Sequence, residues 1–574
     1  MALFVTPENL MSTSSYKGRR GTALRRYQHL ENDRSSFWSH WQEISDYTIP
    51  RRGKYLIENQ NSRGRKRMGK IIDSTGTQAL RTLAAGMMSG MTSPSRPWFR
   101  FALEDPDIGD SHEEKSWLAK AEHTVRAILH KSNFYNSMFT VYEELGAFGT
   151  APMYRQRNFN SVIRFRPFTA GEYVIAENDQ GVVDTVGRYF TMTVAQVVRK
   201  FVMQPDGSMD WTGVSRTTRR LWDQQDYDSL IPIIHMIQPR DIADRDLSRK
   251  DQMSMPFKSV YFEYGGEGND LLFEGGFNRL PIYCPRWDVR PGDIYGQSPG
   301  METLPDIKQL QQQQKRKAQA IDKMVNPPMV ASVQLRGKPT SVLPGANTYV
   351  DPSQGGQGFA PAYQVQPRIQ EMMMDIQEVQ NRIQRGFYAD LFAMMINSDR
   401  RQITATEVVE RHEEKLMLLG PVLQRLNTEL LDPMLEDVFE FALEGDLLPP
   451  PPESLQGQEL KIEYVSLLAK AQQATTASAI ERTLGFAGNL AAVFPRVPKM
   501  INEDEALRQY SEIVGNSPSV LRSKKDVDQM IAAEQQAAQA EQQMGMASQG
   551  AQAAKLLSET DTQNPNALTQ LLGA

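Results

Sequence analysis

The chain contains one cysteine, Cys284, so it can form no internal disulfide and no cysteine-based zinc cluster. Its seven histidines are scattered without metal-ligand spacing, and "HEEK" at His412 is not the HExxH of a zinc hydrolase, so His412 reads as a helix-surface residue. No apolar run approaches the roughly 18 residues that a membrane-spanning helix requires. The opening "MALFVTPENL" lacks a charged segment leading into an apolar one, so the chain reads as cytoplasmic and unprocessed. A strong net charge is missing as well: −5 over 574 residues excludes a generic polyanion binder. The charge that exists is uneven, however. Residues 1–70 hold 14 Lys and Arg against 6 Asp and Glu, a local +8 that leaves −13 on the remainder. A basic arm on an acidic body suits local contact with a polyanion better than tight binding along the whole surface.

Catalytic motifs are equally scarce. "GRKRMGKI" (64–71) has Walker A spacing, but Ile71 stands where a Ser or Thr should hold magnesium, and no strand precedes it. "YGGEGND" lacks the helix onset and downstream acid of a dinucleotide fingerprint, and "DPDIGDSHEE" lacks the alternation and final Glu of a calcium loop. No G-x-S-x-G occurs. The sequence therefore predicts no enzyme: no catalytic residue, no metal ligand and no cofactor.

What is present is a clear order of elements. The length implies two to four domains. Leu24, Tyr27, Leu30, Phe37, Trp41 and Ile44 follow helical spacing in a segment that Pro50 closes. In "DSTGTQALRTLAAGMMSGMTSPSRPWFRF" the small residues Ala84, Ala85, Gly86 and Gly90 predict a helix packed at close backbone distance. A helix pair follows over 115–149. From about 150 to 290 the period shifts to two: "SVIRFRPF", "EYVIAENDQGVVDTVGRYFTMT", "IPIIHMIQPR" and "KSVYFEYGGEGNDLLFEGGF" predict strands, with "NDQG" as a hairpin turn and "TVAQVVRKF" as an inserted helix. A polar helix ends at Pro327 and Pro328, a Gly/Pro-rich insert follows, and a second helix leads to the loop "NSDRRQ".

That loop opens a long helix. Thr404 and Glu407 form a capping box, and Leu416, Leu419, Leu423, Leu426 and Leu430 step by three and four, a seam for lengthwise packing. Gly420-Pro421 predicts a kink. Continuous from 404 to 444, such a rod spans roughly 60 Å at about 1.5 Å per residue. Beyond it come "PPPPES", the strand-like "LKIEYVSLL", a helical stretch and an Ala/Gln-rich tail with little to bury. Two groups of cations admit two readings each. Lys315, Arg316 and Lys317 form either a solvated helix face or a face turned to a water-filled lumen carrying nucleic acid. Arg400 and Arg401, beside Asp399, are either solvated loop tips or lumen contacts.

In series, four stretches resemble the portal, or head-to-tail connector, family of short-tailed bacteriophages: "LRTLAAGMMSGMTSPSRPWFRF" (80–101), "RFRPFTAGEYVIAENDQGVVDTVGRYFTMTVAQVVRKF" (164–201), "RLPIYCPRWDVRPGDIYGQSPGMETLPDIKQLQ" (279–311) and "ITATEVVERHEEKLMLLGPVLQRLNTELLDP" (403–433). The resemblance implies an α+β portal fold: an α/β wing, a long-helix stem, a small α/β clip and a helical crown, assembled as a ring. Residues 1–298 would be the basic arm, helices and wing, 299–326 and 367–395 the stem helices, and 327–366 the clip. Residues 396–403 would be the tunnel loop, 404–464 the long kinked helix and its return, 465–519 the crown and 520–574 the tail.

The resemblance further implies a dodecamer at one capsid vertex, a channel for double-stranded DNA during packaging and ejection, made in the bacterial cytoplasm and carried in the virion. Asn397, Ser398, Asp399, Arg400 and Arg401 of the loop and Lys315, Arg316 and Lys317 of the stem would face that channel. Arg336 and Lys338 of the clip would meet partners. Those partners would be the terminase large subunit and then tail adaptor proteins, with major capsid and scaffolding proteins around the ring and internal core or ejection proteins above it. A pore for moving DNA must hold few cations, because each neutralised phosphate adds salt-dependent affinity. The rival readings are a non-channel scaffold or tail-adaptor protein, and a nucleic-acid packaging ATPase.

Overall fold

The computed structural model describes residues 19–50, 52–53, 69–103, 112–158, 160–246, 248–249, 251–266, 270–331, 336, 359–361, 368–398, 418–452, 455, 460–465 and scattered helical positions between 483 and 536. The chain divides into two compact units. One comprises Met1–Phe101, Ala119–Pro450 and Ile462–Thr475; the other comprises Ala102–Leu118, Pro451–Lys461 and Thr476–Ala574. In the second unit the clearest described element is a helical run at 483–488.

In chain order the described elements begin with helices α1 (Arg19–Tyr47) and α2 (Thr75–Gly90), strand β1 (Phe99–Leu103), and helices α3 (His112–Lys131) and α4 (Phe134–Phe148). Strands β2 (Met153–Asn158), β3 (Val162–Pro167), β4 (Tyr173–Glu177) and β5 (Val183–Thr193) follow, then the short helix α5 (Val194–Val197), which runs into a π-helical turn, Val198–Val202. Helix α6 (Arg216–Asp223) precedes β6 (Leu230–Pro239), β7 (Phe257–Glu263), β8 (Phe273–Phe277) and β9 (Ile282–Tyr283). The chain then turns helical: α7 (Pro299–Val325), the short strands β10 (Met329–Ala331) and β11 (Phe359–Pro361), α8 (Ile369–Gly386) and α9 (Ala389–Ser398). A last helical run covers 418–444, with a π-helical turn at Asn427–Leu431 inside it, before β12 (Leu460–Tyr464).

The β-rich block is a five-stranded antiparallel sheet in the order β4-β5-β6-β7-β8, beside a three-stranded sheet β3-β2-β9. Period-two alternation gives the larger sheet two apolar faces. Ile234 and Met236 of β6 and Val260 and Phe262 of β7 meet Ala23, Leu24, Tyr27 and Leu30 of α1. On the opposite face Ile231, Ile233 and Tyr261 meet Val194, Val197, Val198 and Val202. Each fully buried aliphatic side chain contributes about 1.5–3 kcal/mol, so the two layers together anchor α1 and α5 firmly. The inserted helix starts where its sequence dictates: Thr193 and Gln196 make a reciprocal capping box. The "NDQG" turn is also formed, with Asn178 Oδ1 accepting from the Gln180 and Val182 amides at 3.0 Å each.

Beneath the sheets, α2, α4 and α9 pack closely, and their glycines explain how. A Cβ on Gly86 would lie 2.2 Å from the Phe392 ring, and one on Gly146 would lie 2.7 Å from Leu80. Gly149 ends α4 at φ +77°, where a Cβ would meet the Gly296 carbonyl at 2.2 Å. The close approach predicted for the small-residue helix is thus present, and Phe392 is what fills the space.

Two elements differ in detail from the sequence expectation. The helix expected over 367–395 is two, α8 and α9, separated at Phe387-Tyr388, where Tyr388 takes φ +54°. In the long helix, the described backbone is helical through Gly420 and Pro421, and its departure from α geometry falls at Asn427–Leu431. The residues expected to cap that helix, Thr404 and Glu407, lie outside the described residues.

Candidate functional site

The stem candidates, α7 and α8, run side by side. Ile307 and Leu310 of α7 are buried together with Ile376, Val379 and Ile383 of α8. Polar pairs reinforce this seam: Gln313 Nε2 donates to Asp375 at 2.5 Å, and Arg382 lies 3.1 Å from Asp306. Between α7 and α8, β10 and β11 align antiparallel as a paired neck, Met329 opposite Pro361 and Ala331 opposite Phe359.

The base of the stem is held by one carboxylate. Asp73, just before α2, accepts from the Thr75 amide at 2.9 Å, from Thr75 Oγ1 at 2.5 Å, from Gln314 of α7 at 2.8 Å and from Gln380 of α8 at 2.9 Å. Gln311 closes the knot: its Oε1 accepts from the Ile72 and Asp73 amides, and its Nε2 donates to the Asp73 carbonyl at 2.9 Å. Burial alone would raise the Asp73 carboxyl. The hydrogen bonds from Thr75, Gln314 and Gln380 outweigh it and hold the group below the usual carboxylate range. The glutamine run "QLQQQQ" is therefore a clamp holding α7 to α8 and to the start of α2.

A second node ties the sheet to the long helix. Arg286, 4% exposed at its side chain, donates through Nε and Nη2 to Glu429 Oε1 at 3.1 and 2.7 Å, and its amide donates to Glu429 Oε2 at 2.8 Å. Nη1 donates to Glu177 at 3.0 Å, and Nη2 donates to the Gly181 carbonyl of the "NDQG" turn at 2.8 Å. Glu429 sits in the π-helical turn Asn427–Leu431, and such turns commonly re-aim a side chain where an α-helix could not. Burial opposes the charge on Arg286; Glu429 and Glu177 more than offset it, so the guanidinium is held in its charged form. A cavity of about 560 Å³ opens beside the node, with Arg290, Asp293, Pro421 and Arg425 in its wall. Nearby, Asp437 accepts from Tyr283 at 2.5 Å and pairs with Arg155 at 2.7 Å, fixing the last helix to β2 and β9.

Of the residues singled out from the sequence, Lys315 and Arg316 are exposed on α7 and Lys317 is half-buried, all beyond the seam formed by Ile307 and Leu310. Asn397 and Ser398 are the last two residues of α9. Asp399, Arg400, Arg401 and Lys338 lie outside the described residues, and Arg336 is an exposed turn residue. The structure brings Lys315, Arg316 and Lys317 onto one helix. The Asp73 and Arg286 nodes went unread in the sequence, because their partners are 238 and 143 residues away. The glutamine run was visible, but nothing local distinguishes a clamp from a solvated face. Among the described residues no group of His, Cys, Asp or Glu is placed to hold a metal ion.

A helix pair joined to a paired neck and tied by buried ion pairs to antiparallel sheets defines a mixed α+β architecture. The family described as "Bacteriophage head to tail connecting protein" matches residues 20–521. The chain is 43% identical over 551 residues to the "Probable portal protein" of Bordetella phage BPP-1, covering 96% of this chain and 97% of that one. It is 41% identical over 552 residues to the "Portal protein" of Salmonella phage epsilon15, with the same two coverages. The chain belongs to the bacteriophage head-to-tail connecting family, and its function is that of a phage portal.

Proposed function

We propose that copies of this chain close into a ring, most simply of twelve, at one capsid vertex, and that DNA passes through the ring during packaging and ejection. The observation that carries this reading is the apolar surface on the stem. Val325 of α7 is 73% exposed, Met374 of α8 is 74% exposed, and Ile321 and Met324 of α7 and Met373 of α8 are exposed as well. Large apolar residues exposed along a helix pair call for another surface to cover them, and neighbouring copies of the same pair supply it in a closed ring.

In that ring the exposed Lys315 and Arg316, with Lys317, line the lumen, joined by Arg400 and Arg401 of the loop that follows α9. The 327–366 clip, with Arg336 and Lys338, projects from the paired neck to meet the terminase large subunit and afterwards tail adaptor proteins. Capsid and scaffolding proteins surround the ring, and internal core or ejection proteins sit above it in the virion. The role is structural and not catalytic.

The test is the native mass of the purified protein together with electron imaging. Twelve copies of 65.0 kDa give about 780 kDa, and a ring with a central hole is the expected image. A particle that stays monomeric even with capsid and scaffolding protein added would overturn the channel and favour a non-channel scaffold or adaptor.

A further inference from the structure

A second cavity, of about 540 Å³, lies in the wing and has no part in the stem or its brace. Four cations from three elements converge on it: Arg166 of β3, Arg188 of β5, and Arg199 and Lys200 of the π-helical turn Val198–Val202. Gln156, Thr191 and Gln196 add neutral hydrogen-bonding groups, and no carboxylate is among the described lining residues. Behind the wall, Glu172 faces two of the four: Arg188 Nε donates to its Oε1 at 2.7 Å, and its charge also acts on Arg166. The cavity thus keeps an excess of positive charge.

The arrangement is built and rigid. Arg188 is buried, and its guanidinium lies 4.6 Å from the Phe168 ring centroid and 4.4 Å from that of Phe190. The Lys200 ammonium lies 4.4 Å over the Tyr261 ring. Tyr261 in turn stacks on His235 at 3.8 Å, and His235 is hydrogen-bonded to Ser259 at 2.9 Å. Burial, and then Lys200 and Arg188, push His235 well below the ordinary imidazole value, so it stays neutral and adds no charge of its own. Partial burial, and then repulsion from Arg188 and Arg166, lower Lys200. Converging like charges carry a Coulombic cost that a bound anion removes. The π-helical turn supports the same conclusion, since it presents Arg199 and Lys200 in succession at the cavity edge, and π turns collect at functional sites.

We propose that this cavity is a binding site for a multiply charged phosphate-bearing anion. Its volume falls within the roughly 300–1,000 Å³ of small-ligand sites. Phosphate oxygens suit a cluster of arginines because planar guanidinium groups donate to them in pairs. The phosphates have two possible sources, a free oligophosphate and the backbone of DNA, and the experiment separates them.

Inorganic tripolyphosphate, and in parallel a short single-stranded oligonucleotide, are titrated into the assembled full-length protein by calorimetry. The expected result is saturable binding of tripolyphosphate at one site per chain. The double variant R166Q/K200Q should weaken it at least tenfold while native mass and circular dichroism stay unchanged. Should that variant fail to fold, Arg199→Gln, at an exposed position, serves in its place, with an expected weakening of severalfold. Binding of tripolyphosphate alone identifies a free oligophosphate. Binding of the oligonucleotide in competition with tripolyphosphate, and weakened by the same substitutions, identifies nucleic-acid backbone. The proposal is overturned if wild type binds neither probe, or if the substitutions leave affinity unchanged. It is also overturned if R166Q/K200Q abolishes ring assembly while wild type binds no phosphate, because the cations would then be meeting acidic side chains of a neighbouring copy.

Discussion

Arg286 shows how much a single buried side chain can carry. Its contacts join the Glu177 end of β4, the Gly181 turn and Glu429 in the long helix. Replacing it with methionine leaves two enclosed carboxylates without their counter-charge, and breaking a buried pair on one side costs about 3–5 kcal/mol. Arg286→Met should therefore lower the thermal unfolding midpoint markedly, whereas E429Q/R286M should recover part of the loss. A midpoint equal to wild type would mean the node is not structural.

Glu144 makes a pH prediction at the same scale. It is fully buried in α4, with Arg52 3.5 Å away and the Ala170 amide at 3.4 Å. Burial raises its carboxyl to about 7, with Arg52 and the hydrogen bonds from Thr169 and Ala170 pulling the other way. A carboxyl raised above its unfolded value keeps its proton longer in the folded state. Its contribution to stability is complete below the unfolded value of about 4.3 and is lost as pH rises to about 7. Glu144→Gln should flatten the fall in stability between those limits, a difference on the order of 1–3 kcal/mol. Denaturant melts at pH 5 and pH 7.5 read it directly, and parallel wild-type and variant curves would rule the titration out.

Among elements, the α7–α8 pair is the one whose geometry depends most on polar groups. Its apolar seam is short, and Asp73 with Gln311, Gln314 and Gln380 completes it. Since Asp73 is held below the usual carboxylate range, its contribution is present above the unfolded value and is lost as pH falls through the folded one. Gln311→Leu leaves the Ile72 and Asp73 amides without their acceptor. It should cost about 1–3 kcal/mol and raise amide exchange in α7 and α8 before other helices. Uniform exchange across the molecule would argue against a local clamp.

The described part of the long helix, 418–444, and α2 were legible at this scale, for a plain reason. Leu419, Leu423, Leu426 and Leu430, spaced for a seam, are buried at 2% exposure or less, and the glycine predicted to sit close, Gly86, abuts Phe392. Periodicity and side-chain size are local properties of a chain. The π-helical turns and the break at Tyr388 were not legible. They depend on where the helix must deliver Glu429 or Phe392, and that is decided by elements far away in sequence.

Across the whole molecule, the exposed methionines and isoleucine of the stem should decide assembly. Replacing Met373, Met374 and Ile321 together by serine removes three of the five exposed apolar side chains proposed to be covered in a ring. The expected outcome is a folded chain with unchanged circular dichroism and a native mass shifted towards monomer. Intact rings would place the contact between copies elsewhere.

By itself the chain's residue order determined the class of elements, their succession, the lack of a catalytic motif and the resemblance to phage connectors, since all of these reside in local periodicity, composition and short motifs. Only tertiary structure decided which polar side chains matter. Asp73, Arg286 and the four cations of the wing cavity look like ordinary surface residues in one dimension. They acquire their roles because folding brings charges from distant segments to within hydrogen-bond reach, or around one pocket, where fewer waters screen them.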